Sequence, residues 1–410
     1  MRKLYLLLDE WDNDRNFVGR ELELICSKYD VTVICNSAVT DLETKALYRI
    51  YKRPSKIHAV ASMLKGIVDR ELWHELLNAV RYRSDVHSTL SGRISEALRF
   101  YMNADLFRRF MKKQGCFENG AIYYSYWNFW KCYAVTHDIC KYPASRVISR
   151  IHGYELYDEQ IPSGYQPFKE SMDSKLNRLV FVSETGREHY LRKFKKTDCD
   201  KYGLYLLGTC NLMTREEILK PVLRNDRDEF VLVSCSRIDK IKRVGHIVDA
   251  LSVLDGIKIK WIHFGSGDLA DEVMKKAENL LDGRENISYV FRGTVDNCEI
   301  HDFYGKQRPD AFINVSSSEG NPVSVMEALS YGIPVIAPAI CNFPSMLSGC
   351  GILVSGECRA GELADAIVTL AQMNDEKMRQ LRDKARSCWE EKFDAVTNNI
   401  RFVEEVIDTL

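Results

Sequence analysis

The 410-residue sequence has no apolar run near the roughly 18 residues that a membrane span requires. Its N-terminal run, Leu4 to Leu8, stops at Asp9-Glu10. That is too short for a signal-peptide core and reads as a first β-strand. No Cys-x-x-Cys pair occurs among the 13 cysteines, and their number is odd. Metal-site spacing is therefore missing and a disulfide framework is disfavoured. Free thiols in a reducing, cytoplasmic compartment are the expectation. Low-complexity segments and short repeats are missing as well. Hydrophobic residues at 45% and charged residues at 28% exclude disordered, collagen-like and disulfide-scaffold classes. The length suggests two domains.

What is present is a charge asymmetry hidden by the net charge of −1. Residues 1–205 hold 33 Lys and Arg against 26 Asp and Glu, and the rest hold 24 against 32. Such halves suit different partners, the basic one an anionic surface or acceptor. In the second half, short apolar strands (Phe230–Ser234, Ile257–Phe264, Ile287–Phe291, Ala311–Val315, Pro334–Ala337, Gly351–Val354) alternate with helical patterns. That alternation predicts a parallel sheet covered on both faces. The first half repeats the theme with Lys3–Leu8, Val31–Cys35, Ile122–Tyr126, Arg146–Ile151 and Leu179–Ser183. A mostly helical insertion interrupts it between about Ser55 and Lys113. The domain boundary is expected within Gly203–Asn225. Residues 375–410 read as helical with a break near Lys392-Phe393-Asp394.

Three strings carry chemistry. The first is Ser318-Glu319-Gly320-Asn321-Pro322-Val323-Ser324-Val325-Met326-Glu327-Ala328. It follows a predicted strand and opens a helix, with Asn321 as N-cap and Pro322 in the first helical position. The amides of Val323 and Ser324 then lack intrahelical acceptors and can hold a phosphate. Glu327 can accept two hydrogen bonds from a vicinal diol such as a ribose, and Glu319 can hold sugar hydroxyls. The second string, Ser234 to Arg243, places Arg237 and Lys242 at a strand end, where fork and point charge suit a diphosphate. The third, Arg150 to Tyr157, sets His152 at a strand end, with Gly153 permitting a tight turn that aims the ring into a cleft. Gly19 and Gly265 lie in short glycine loops that let backbone approach a ligand. Gly265-Ser266-Gly267 lacks the third glycine of a dinucleotide fingerprint. Each string alone is also readable as an ordinary helix start, a solvated basic turn or an exposed histidine.

Together these residues resemble a retaining glycosyltransferase of the GT-B fold, glycosyltransferase family 4 (group 1). The resemblance covers nearly the whole chain and is strongest from Ser234 to Pro338. It implies an α/β architecture of two facing Rossmann-like domains: an acceptor-binding domain over 1–205, a nucleotide-sugar domain over 206–390, and a C-terminal helix over 391–410 returning to the first. It implies catalytic roles for His152, Arg237, Lys242 and Glu319. Donor contacts fall to Gly19, Gly265, Asn321, Pro322, Val323, Ser324 and Glu327. Neither metal nor cofactor is implied; the nucleoside-diphosphate sugar is the donor substrate. The implied acceptor is a glycan or a lipid-linked molecule in cell-surface polysaccharide synthesis, with no nucleic acid involved. Where the family often has adjacent glycines, Val18-Gly19 stands here. A catalytically inactive GT-B partner or scaffold is the second reading, against which the intact set Arg237, Lys242, Glu319, Glu327 and His152 argues. Residues 98–113 place Leu98, Phe100, Tyr101, Leu106, Phe107, Phe110 and Met111 among Arg99, Arg108, Arg109, Lys112 and Lys113. This helix either packs its apolar side on the first domain or lies in a membrane interface. The basic first half and the resemblance tip the balance toward a peripheral protein at an anionic cytoplasmic membrane face.

Overall fold

The computed structural model describes residues 1–37, 45–83, 88–220 and 229–410. They form two compact units, Met1–Leu206 with Thr397–Leu410, and Leu207–Val396. Residues 221–225 of the expected boundary stretch lie outside the described residues.

The first unit is built on β1 (Lys3–Leu7), β2 (Asp30–Cys35), β3 (Leu47–Ile50), β4 (Ile122–Ser125), β5 (Arg146–Ile151), β6 (Arg178–Phe181) and β7 (Tyr202–Leu204). They make one parallel sheet in the order β3-β2-β1-β4-β5-β6-β7. Its helices are α1 (Trp11–Lys28), α2 (Lys56–Gly66), α3 (Arg70–Arg81), α4 (Leu90–Lys113), α5 (Trp130–Asp138), α6 (Gly153–Leu156), α7 (Lys169–Lys175) and α8 (Glu184–Lys193). Two apolar clusters flank the sheet. One packs Tyr123, Val147 and Leu179 against α4 and α5. The other packs Leu4, Leu6 and Ile148 with α1 and with Phe402, Val403, Val406 and Ile407 of the chain terminus.

The second unit repeats the plan. Its strands are β8 (Phe230–Cys235), β9 (Ile259–Phe264), β10 (Ile287–Phe291), β11 (Ala311–Ile313), β12 (Val335–Pro338) and β13 (Gly351–Val354), ordered β10-β9-β8-β11-β12-β13 and all parallel. The helices between and after them are α9 (Arg215–Leu219), α10 (Gly245–Ser252), α11 (Ala270–Leu281), α12 (Asn297–Gln307), α13 (Val323–Ser330), α14 (Phe343–Met346), α15 (Ala360–Ala371) and α16 (Asp375–Lys392). A final helix, α17 (Ala395–Phe402), runs on into a wider turn over Val403–Ile407. Strand order reverses between β1 and β4, and again between β8 and β11. In open parallel sheets ligands bind beyond the carboxyl ends of the strands at such reversals.

Two sequence expectations fail locally, and two strands were not foreseen. Gly19 sits in the interior of α1, not in a loop. Trp11, Val18, Leu22 and Ile25 recur at helical spacing and are buried, and that burial outweighs the roughly 1 kcal/mol a mid-helix glycine costs. The strands β3 and β7 were not legible. One is half exposed along its length and the other has three residues. Finally, the stretch 98–113 is the core of α4, not a membrane face. Phe100, Tyr101, Leu106, Phe107 and Met111 are buried in the domain. Four of its five basic residues are engaged too: Arg108 and Arg109 bind Asp105, Lys112 binds Asp138, and Arg99 binds Glu96.

Candidate active site

In the second unit, the loop after β8 is fastened before it presents any charge. Asp239 Oδ1 accepts from the Ile241 and Lys242 amides, both at 2.9 Å. Arg243 adopts a left-handed φ of 50°. Its guanidinium donates to the carbonyls of Val315 (2.7 Å), Ser316 (3.0 Å) and Gly356 (2.9 Å). The Ser317 amide donates back to the Ile241 carbonyl at 2.8 Å. Of the basic residues in this string, Arg243 is thus a clasp between the loops after β8 and β11.

That clasp brings Lys242 to Glu319. The Lys242 ammonium lies 2.7 Å from Glu319 Oε1, which also accepts from Ser316 Oγ (2.7 Å) and Asn314 Nδ2 (3.1 Å). One carboxylate oxygen therefore gathers three donors at the switch point of the sheet. Arg237 is not part of this cluster. Its side chain is 69% exposed and, among the described residues, reaches only Asp268, at 4.0 Å.

The motif helix starts one residue later than its composition suggests. Pro322 is the N-cap, with φ −73° and ψ 90°, and Val323 is the first helical residue. Asn321 lies one position outside and caps nothing. The reason is local: ψ of 90° keeps Pro322 extended, while its carbonyl accepts from the Val325 and Met326 amides. The Val323 and Ser324 amides have no backbone acceptor among the described residues, which leaves them pointing out of the helix start. The side-chain Nδ2 of Asn321 is buried without a partner among the described residues. Glu327 is buried one turn further in. Its Oε1 accepts from Asn297 Nδ2 at 2.8 Å and lies 3.6 Å from His301 Nε2. Its Oε2 has no hydrogen bond among the described residues.

Gly265 has φ of +127°, and a Cβ there would stand 1.9 Å from the Ser236 carbonyl oxygen. A Cβ on Gly267 would stand 2.5 Å from the Ile238 carbonyl oxygen. The glycines after β9 thus let that turn pack against the Arg237 loop. The close approach observed is loop to loop.

In the first unit, His152 directly follows β5 and is the N-cap of α6. Gly153 has an ordinary backbone, and a Cβ there would meet its first neighbours at 3.7 Å, an ordinary van der Waals distance. The tight turn expected of it is not there; the four-residue helix turns the chain instead. The His152 ring packs on Trp127 (centroids 4.3 Å apart) and Tyr126 (5.1 Å). Both ring nitrogens are buried without a hydrogen-bond partner among the described residues. Glu155 organises this corner. Its Oε2 accepts from the His152 amide at 3.2 Å, and its Oε1 accepts from the Asn128 amide at 3.0 Å. Oε1 also lies 3.6 Å from His152 Nδ1. Lys169 Nζ donates to the Asn128 carbonyl and to Asn128 Oδ1 (2.9 Å). Burial acts to raise the Glu155 carboxyl, but contact with His152 and the charge of Lys169 outweigh it and hold it low. Burial brings Lys169 down to about 8, against the opposing charge of Glu155.

Sequence reasoning missed Glu155, Asn128 and Lys169 behind His152, and Asn314, Ser316 and Asn297 behind the glutamates. A signal existed only for Glu155, three residues after His152 on one helical turn. Asn297 and Lys169 lie far along the chain from the groups they serve.

Residues 215–387 match the family model of glycosyl transferases group 1, so the second unit carries a domain of that kind. Alpha-monoglucosyldiacylglycerol synthase of Streptococcus pneumoniae (strain ATCC BAA-255 / R6) is 28% identical over 152 residues, 36% of this chain and 33% of that protein. The protein of the same name from Acholeplasma laidlawii is 30% identical over 126 residues, 30% of this chain and 31% of that protein. The chain thus matches about a third of the length of these curated relatives. The crystal structure of Anabaena Alr3699/HepE in complex with UDP and glucose superposes over 100% of both chains, with a TM-score of 0.63 at 16% identity. That likeness shows the fold: GT-B, with two Rossmann-like domains.

Proposed function

We propose that this chain is a metal-independent glycosyltransferase. It moves a sugar from a nucleoside-diphosphate donor to a glycan or lipid-linked acceptor with retention at the anomeric carbon. The observation that carries the reading is the Lys242–Glu319 contact at the strand reversal of the second unit, beside the unsatisfied amides of Val323 and Ser324. Lys242, Arg237 and the start of α13 are the groups for the diphosphate, with Asn321, Pro322 and Gly265 shaping the backbone around it. Glu319 takes donor-sugar hydroxyls, and the open Oε2 of Glu327 takes the ribose. His152 is assigned to the sugar on the resemblance to the family alone. The relatives named as glycolipid synthases and the UDP and glucose held by the structural neighbour support this assignment.

In the free protein Lys242 neutralises Glu319. An arriving diphosphate carries more charge than one carboxylate and draws the ammonium to itself, which frees Glu319 for hydroxyl groups. The bond from the anomeric carbon to the diphosphate oxygen then breaks, and its electron pair leaves with the nucleoside diphosphate. The acceptor oxygen bonds the same face, and its proton passes to the departing phosphate. Lys242, Arg237 and the helix start stabilise charge where it develops, usually a large term in catalysis. Lys242→Ala and Arg237→Ala should each lose ~3 kcal/mol of transition-state stabilisation, about a hundredfold in turnover. Release of nucleoside diphosphate checks this, with circular dichroism to confirm folding. Wild-type turnover in Lys242→Ala would remove the assignment.

A further inference from the structure

Among the described residues, α2 and α3 of the first unit carry an uncovered apolar surface. In α2, Val60 and Leu64 recur four apart, and Ile67 and Val68 continue the stripe past the helix end. In α3, Trp73, Leu77 and Val80 recur at four and three. All seven are more than half exposed, from 51% for Leu77 to 81% for Val68. The opposite faces account for this placement. Ser62 turns inward to Asp105, at 2.8 Å. Leu72, Glu75 and Ala79 are the buried side of α3. The two stripes are joined at the corner, where Trp73 Nε1 donates to the Ile67 carbonyl at 2.7 Å. Scattered exposed apolar residues are common in soluble proteins, but a contiguous patch marks an interaction site.

The charges that α2 and α3 turn outward are mostly basic, with the exposed Glu170 of α7 beside Arg70, Arg81 and Arg83. Residues 52–83 contain Lys52, Arg53, Lys56, Lys65, Arg70, Arg81 and Arg83 against Asp69, Glu71 and Glu75. The three acids are spent inside the domain. Asp69 accepts from Tyr101 (2.7 Å) and contacts His137 (3.0 Å). Glu71 binds Lys175 and Ser171, and Glu75 accepts from Tyr165. Lys52, Arg53, Arg70, Arg81 and Arg83 are exposed and have no ion pair among the described residues. A second copy meeting this face across a two-fold axis would place like charges together, which disfavours self-association. A flat anionic bilayer has no such penalty. It takes Trp and aliphatic side chains at its interface and attracts the basic rim.

We propose that α2 and α3 form a docking surface for an anionic lipid membrane, in place of the 98–113 stretch that is buried. This rests on the reading of the chain as a transferase only for its purpose, not for its physics. The test is co-sedimentation with phosphatidylglycerol vesicles and with phosphatidylcholine vesicles, at low and at high salt. The wild type should bind the anionic vesicles, weakly bind neutral ones, and lose the difference as salt shortens the screening length. Arg70→Glu, Arg81→Glu and Arg83→Glu combined should lower anionic partitioning by about a hundredfold or more. Val68→Ser, Trp73→Ser and Leu77→Ser combined should weaken binding to both vesicle types. Equal binding to both compositions, no binding to either, or unchanged binding of both variants overturns the proposal. So does a concentration-dependent dimer abolished by the same substitutions, which assigns the face to a second copy. Hydrolysis of the sugar donor by these variants in solution should match the wild type. Donor hydrolysis absent even from the wild type would count against the transferase reading and leave the vesicle result standing.

Discussion

Glu327 shows what a single buried carboxylate can report. One of its oxygens is held by Asn297 at 2.8 Å, while the other is open. A ribose diol bonded to that oxygen adds charge-assisted hydrogen bonds, each worth roughly 1.5–3 kcal/mol. Glu327→Ala should therefore weaken nucleoside-diphosphate binding by about tenfold to a hundredfold, measured calorimetrically with UDP and GDP. Unchanged affinity for the nucleotide that the wild type prefers would sink the role. Glu327 and Glu319 were legible because both lie on one strand-to-helix string. Arg237 was legible as a residue type, but its position at the surface beside Asp268 was not. The support for His152 was invisible for a different reason. Asn128 follows β4 and is brought to Glu155, which follows β5, by sheet order, and Lys169 reaches that Asn128 from α7.

Among the elements, α4 carries the clearest correction. Its basic and aromatic residues read as an interfacial helix, yet its apolar side fills the first core and its charges converge on Asp105 and Asp138. Asp105 is 2% exposed. Burial acts to raise its carboxyl, but bonds from Arg108, Ser62 and Lys65 outweigh that and lower it to about 2. A carboxyl depressed below its unfolded value near 4 stabilises the fold above that value. The contribution is lost as pH falls from about 4 through about 2. Asp105→Asn should cost ~2 kcal/mol at neutral pH, and more if Arg108 is left buried without its partner. The cost should shrink below pH ~3, where the wild-type carboxyl is also protonating. Urea unfolding of both proteins across pH 2–7 measures it. A cost that does not change with pH would mean that packing, not charge, is what Asp105 supplies. Element legibility followed burial. The strands β8 to β12 are apolar runs and read cleanly. The edge strand β3 and the three-residue β7 present no such run. In α1, the helical recurrence of buried residues overrode a glycine that looked like a loop.

At the scale of the whole molecule, the two halves differ in charge, and the structure gives that difference an address. The basic excess of residues 1–205 is not spread evenly: on α4 it is mostly paired, while Arg70, Arg81 and Arg83 stand exposed around apolar side chains. The acidic half holds Lys242 and Arg237 at the carboxyl ends of its strands, so the few cations at its switch point stand out against their surroundings. The two-domain plan was readable from strand-helix alternation. Which sugar and which base the site selects has no counterpart in that pattern, because selection depends on side chains gathered from several loops. The central claim is that a nucleoside-diphosphate sugar is cleaved at the Lys242–Glu319 site. The most direct measurement follows nucleoside-diphosphate release from a panel of UDP- and GDP-sugars, with proton NMR of the sugar product. Turnover of a narrow set of donors is expected, with the anomeric configuration kept, and its loss in Lys242→Ala and Glu319→Ala. No release from any donor, or inversion of the anomeric carbon, would contradict it.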